Sequence, residues 1–167
     1  MEKDVIVSQI RAALKMLRAA IEACPDSLWN RESDDNRFWV LAYHALFFAH
    51  LYLFPSEDAF EPWEAQIEGH PQMGREHLGD WTKLQPEDLY TKSDVLTYCT
   101  YVEGLVSDRV ETTPFDEPID FYWMRQPCKQ SELHLYNLRH IQHHAGQLSE
   151  RLRQTTGRGI DWVKAVH

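Results

Sequence analysis

A chain of 167 residues is long enough to fold as one domain around its own apolar core, without disulfides or a structural metal to hold it. Lysine and arginine number 17 against 26 acidic residues; the net charge is −9 and no basic run is present to neutralise a phosphate backbone, which argues against a nucleic-acid partner. Cys24, Cys99 and Cys128 are odd in number, lack any CxxC spacing and read as reduced cytoplasmic thiols, so a disulfide scaffold is excluded.

The opening residues Met1-Glu2-Lys3-Asp4 place acids where a signal peptide needs bases, and no apolar segment with a small-residue cleavage site follows. Export is therefore not expected. Val7, Ile10, Leu14, Leu17, Ile21 and Cys24 then recur at steps of three and four, with Arg11, Lys15, Arg18 and Glu22 between them. This spacing predicts an amphipathic first helix, ended by Pro25.

After a polar turn, Asp26 to Asn36, an apolar run from Arg37 to Phe54 predicts a second helix that stops at Pro55. It is apolar nearly all round, so it should be the most buried of the set. Phe38 to Phe54 also sits at the short limit of the roughly 17 to 25 residues that a membrane-spanning helix needs. It carries His44 and His50, and the chain's mean hydropathy is −0.52, so a buried helix is the better reading and no membrane is expected as a partner.

Ser56 to Thr91 holds Pro62, Pro71 and Pro86 with Gly69, Gly74 and Gly79 and has no sustained period, which predicts a long connection. Thr91-Lys92-Ser93-Asp94 resembles a capping box, and Val95, Cys99, Val102, Val106 and Val110 mark a third helix ending before Pro114. A second connection, Pro114 to Pro127, is aromatic. Lys129 to Thr156 is the last and longest helix, stopped by Gly157 and Gly159, with Trp162-Val163 expected to tuck back onto the body. Four amphipathic or apolar helices and no alternating strand run predict an all-α four-helix bundle, a single domain over residues 1–167. The long connection after the second helix lets helices two and three run parallel.

Position separates the nine histidines. His70, His77 and His167 fall in the long connection or at the end of the chain, where solvation is the default, and His134 reads as structural. On the last helix His140 and His144 form an HxxxH pair, one turn apart on one face. With the apolar stripe centred on Ile141, Ala145, Leu148 and Leu152, His144 lies within the stripe, His140 at its edge and His143 near the opposite side. HxxxH alone is a weak metal signal, and a solvated or hydrogen-bonded pair is its ordinary alternative.

His44 strengthens it. This residue shares a face with Val40, Phe47, Phe48 and Leu51, so its nitrogens need a partner inside the bundle or carry a desolvation cost of roughly 1 to 3 kcal/mol. A metal shared with His140 and His144 meets that need. His50, about 120° round the same helix, is the competing ligand, and for either histidine a bond to a backbone carbonyl is the plainer reading. Glu-x-x-His, HExxH, GxSxG, Walker and GxGxxG patterns are all absent from the sequence, which leaves no di-iron, zincin, serine-hydrolase or nucleotide-site signature.

The segments AYHALFFAHLYL in the second helix and NLRHIQHHAGQLSERLR in the last resemble those of the DinB/YfiT family, whose members are regarded as metalloenzymes. The resemblance covers nearly the whole chain by arrangement, and the His-x-x-x-His followed by Gly-Gln-Leu is its more specific part. It implies an up-down-down-up bundle holding a divalent metal, often zinc or nickel, on one histidine of the second helix and two of the last. Carried onto this chain, those are His44, His140 and His144. It further implies a homodimer and a thiol-dependent transferase or isomerase using bacillithiol, mycothiol or glutathione, or else a hydrolase. A non-catalytic metal-binding or interaction bundle is the alternative.

Three imidazoles would leave a tetrahedral ion with one open position, suited to a water or a substrate thiol. Asn137 and Gln147, each three residues from a proposed ligand, are candidates to orient an imidazole, with a plain bundle-edge role the stronger expectation. Phe121, Tyr122, Trp123, Trp63 and Trp81 are candidates to line the mouth of the site, with core packing at least as well supported. No residue stands out as a general acid or base.

Overall fold

The computed structural model describes residues 3–34, 36–67, 89–121, 124 and 128–167. Among them are five helices and no sheet: α1 (Lys3–Ala23), α2 (Asp26–Trp29), α3 (Phe38–Leu51), α4 (Lys92–Thr112) and α5 (Gln130–Thr156). No helix among the described residues is long and apolar enough to cross a membrane.

Helix α1 follows the periodicity of its sequence from Ile10 through Leu14, Leu17 and Ile21, all buried along one stripe, but Ile6 rather than the half-buried Val7 begins it. The polar turn after it contains an element that periodicity could not reveal, the single-turn helix α2. It follows Pro25 and buries Leu28 and Trp29, and the Trp29 indole donates to the Tyr90 carbonyl at 3.0 Å. Helix α3 ends at Leu51 rather than Phe54. Leu53 and Phe54 instead donate to carbonyls three residues back, both at 3.0 Å, because the residue before Pro55 is pushed out of the helical region.

Thr91 and Asp94 form the expected capping box at the start of α4: the Asp94 carboxylate accepts from the Thr91 amide at 2.8 Å and the Thr91 hydroxyl accepts from the Asp94 amide at 3.2 Å. At the far end of α5, Gly157 takes the left-handed conformation with φ 79°, which closes the helix. Beyond it Val163 and Ile160 pack against the core and Gln9 donates to the Lys164 carbonyl at 3.2 Å, but Trp162 is 72% exposed. Only part of the expected Trp162-Val163 anchor therefore tucks in.

Side-chain partners give the relative sense of the long helices. Lys3 donates to the Glu111 carbonyl, Arg18 pairs with Glu103 and Lys92 donates to the Cys24 carbonyl, so α1 and α4 run oppositely. Asn137 reaches Ala49 and Arg151 reaches Asp34, which sets α5 against α3. Tyr43 stacks on Tyr90, His50 bonds Tyr98 and Arg109 covers Phe54, which makes α3 and α4 parallel. One apolar core runs through all four.

Candidate metal centre

All but three residues of α3 are buried, and those three are Leu41, His44 and Phe48. They recur at steps of three and four, so α3 opens along one stripe only, and His44 lies at its middle. That stripe meets the α5 turn that carries the HxxxH pair. The His44 ring centroid is 5.4 Å from that of His140 and 4.9 Å from that of His144, and the two α5 rings are 4.4 Å apart.

One ring nitrogen from each of the three lies within 4.8 Å of the other two, and the Nε2 atoms of His140 and His144 are 3.0 Å apart. Bonds of about 2.0–2.1 Å to a tetrahedral ion would set ligand nitrogens about 3.3 Å from one another. The α5 pair already has nearly that spacing, and the His44 nitrogen lies within 4.8 Å of both. Burial pushes His140 down to about 3, helped by the neighbouring imidazoles His144 and His44. Burial likewise takes His144 to about 4, with His44 adding to the effect and Gln147 opposing it. Both rings are consequently neutral at pH 7, with the free lone pairs that metal ligation requires. Neither a carboxylate nor a thiol joins this group among the described residues.

Gln147 fills the role open to it in the sequence: its Oε1 lies 2.8 Å from His144 Nδ1. Asn137 does something else, donating to the Ala49 carbonyl at 2.9 Å and tying α5 to α3. His50 is outside the group. It is fully buried, its Nδ1 is 3.0 Å from the Tyr98 hydroxyl, and it packs among Phe54, Phe60 and Tyr101. His143 is exposed, His134 is buried beside Phe115, and His167 is exposed; His70 and His77 lie outside the described residues.

An aromatic shelf that the sequence reading missed borders His140. Phe48 lies 5.4 Å from its ring and Tyr52 6.1 Å, and Tyr52 in turn contacts Phe121 and Tyr136. The signal was present, since Phe48 and Tyr52 follow His44 at steps of four on one helical face. Of the rings considered for the mouth of the site, Phe121 joins this shelf through Tyr52. Trp63 stacks on Tyr98 in the core at 4.6 Å, while Trp81, Tyr122 and Trp123 lie outside the described residues. Two cavities adjoin the centre: one of about 480 Å³ beside His140 and His143, and one of about 770 Å³ beside Gln147.

All three cysteines are free, and none offers a ready thiolate. Burial pushes the Cys24 thiol up to about 12 and raises Cys99 and Cys128 as well. No protein-family model, no curated protein and no solved structure matches this chain.

Proposed function

We propose that this chain is a divalent-metal-dependent enzyme of the DinB-like kind, a thiol-dependent transferase or a hydrolase, with His44, His140 and His144 holding zinc or nickel. The relative senses of α1, α3, α4 and α5 support an up-down-down-up four-helix bundle beneath that site. The observation that carries the reading is the convergence of three imidazoles from two helices with no fourth protein ligand among the described residues. That is the donor pattern of an ion left open to substrate rather than closed for structure.

When bound, such an ion supplies a Lewis acid that brings the pKa of a water or a thiol towards neutrality. The chain's own groups do the rest: Gln147 orients His144, and Phe48 and Tyr52 give the site an apolar wall. With the cysteines held protonated, the nucleophile comes from outside the chain. Elemental analysis of purified protein should find close to one zinc or nickel per chain, and thiol-transfer and ester-hydrolysis rates should depend on it. Equal rates from metal-free and metal-loaded protein would remove the enzymatic reading.

A further inference from the structure

The two cavities, one beside His140 and the other beside Gln147, differ in charge. That of about 770 Å³ is lined by both Asp34 and Glu150, and its one arginine, Arg151, is already bound to Asp34 at 2.9 Å and to the Asn36 carbonyl at 2.6 Å. The cavity of about 480 Å³ is lined by Tyr136, Arg139, His140, Gln142 and His143, with no carboxylate among the described residues. Tyr136, Arg139, His140 and His143 share one stripe of α5, which presents the arginine directly beside the candidate ligand His140.

Arg18, Arg31, Arg109, Arg151 and Arg153 each pair with a carboxylate, whereas Arg11, Arg37, Arg139 and Arg158 have no ion pair among the described residues; of these four, Arg139 is the one that lines the cavity beside His140. An unneutralised guanidinium in a cavity whose described lining has no acid is locally complementary to an anion, against the repulsion of a chain whose net charge is −9. Its planar fork suits a carboxylate in particular. Next to it Tyr136 is 43% exposed and packs on Tyr52 at 5.4 Å, which offers an aromatic surface for an apolar body.

We propose that this cavity binds a small carboxylate-bearing substrate with an apolar or aromatic body, and that Arg139 is the residue that selects for the carboxylate. The inference rests on the metal-centre reading only for where the reacting end lies; the anion site stands without it.

Benzoate and its neutral isostere benzamide are suitable probes, titrated into the full chain with and without one equivalent of zinc and followed by calorimetry or NMR. Benzoate should bind roughly tenfold tighter than benzamide in both states. Arg139→Gln should abolish that preference with zinc stoichiometry as in the native chain, Arg139→Lys should restore part of it, and Arg139→Glu should reverse it. Because Arg139 is exposed, thermal unfolding of the variants should match the native chain. Equal binding of the two probes overturns the proposal, as does a preference that survives Arg139→Gln. A preference seen only with zinc places the anion on the ion and overturns the role of Arg139. Failure of the native chain to take up zinc overturns the metal reading alone, since the zinc-free titrations still decide this one.

Discussion

The Nε2 atoms of His140 and His144 face each other at 3.0 Å across one turn of α5, while His144 Nδ1 meets Gln147 Oε1 at 2.8 Å. With the Gln147 amide oxygen turned to the ring, these contacts favour one arrangement of the protons. An amide oxygen only accepts, so His144 carries its hydrogen on Nδ1 and leaves Nε2 as a lone pair. His140 then donates from Nε2, and its own Nδ1 is left as a buried acceptor with no partner among the described residues. In that arrangement His144 Nε2 is free to ligate an ion, and His140 would have to shift its proton to join it.

Gln147 should matter to metal affinity for this reason. Its side chain touches the ring of a proposed ligand without being one itself, and loss of such a partner typically costs about 10- to 100-fold in affinity. Gln147→Leu should show that loss in competition with a chromophoric chelator, with unfolding unchanged because the residue is exposed. Affinity within twofold of the native value would mean that the amide does not set the tautomer.

The histidines should separate into ligands and packing residues. Alanine at His44, His140 or His144 should remove most zinc affinity, and His143→Ala should leave it nearly intact. His50→Ala should keep the zinc and lose stability, on the order of 2 kcal/mol or more, because it empties a fully buried aromatic cluster and strands the Tyr98 hydroxyl. Loss of zinc in His50→Ala with retention in His44→Ala would exchange their roles.

The long helices were legible because their signals are local: apolar steps of three and four in α1, the Thr91 to Asp94 box, and Gly157 after α5. Helix α2 was not, since four residues cannot display a 3.6-residue period and its support is tertiary, through Leu28, Trp29 and Tyr90. The choice between His44 and His50 was open in sequence because both lie on an almost wholly apolar helix. What separates them is which neighbour each meets: α5 for His44, and Tyr98 of α4 for His50. Trp162 looked like an anchor by composition alone, and the tail instead packs through Ile160 and Val163.

Gly157 should resist substitution. Its φ of 79° is one that residues with a Cβ adopt only at a cost, although the space around it is open. Gly157→Ala should lower stability by about 1 kcal/mol through strain at the end of α5, and Gly157→Asn by less. Urea unfolding measures both; an alanine variant as stable as the native chain would mean that the helix end relaxes freely.

Acid should weaken the fold through histidines remote from the candidate metal centre. Burial lowers both His134 and His50 to about 4, with Lys3 of α1 adding to the effect at His134 and Arg109 of α4 at His50. In the unfolded chain a histidine titrates near 6.5, so between pH 6.5 and 4 the unfolded state binds more protons. The penalty of holding them neutral is therefore absent above about 6.5 and grows as pH falls towards 4, so stability is lost over that window at roughly 1.4 kcal/mol per pH unit for each group. His134 gives the cleaner test, because neither of its ring nitrogens has a partner among the described residues and its removal strands nothing. His134→Leu should match or exceed native stability at pH 7, where a buried unpaired polar group is replaced by an apolar one. Its stability should also fall less steeply below pH 6.5. Urea unfolding of the metal-free native and variant chains at pH 7, 6, 5 and 4 reads both effects, with the histidines of the centre contributing equally to each. Parallel stability curves across that window would show that His134 is not among the groups whose protonation unfolds the chain.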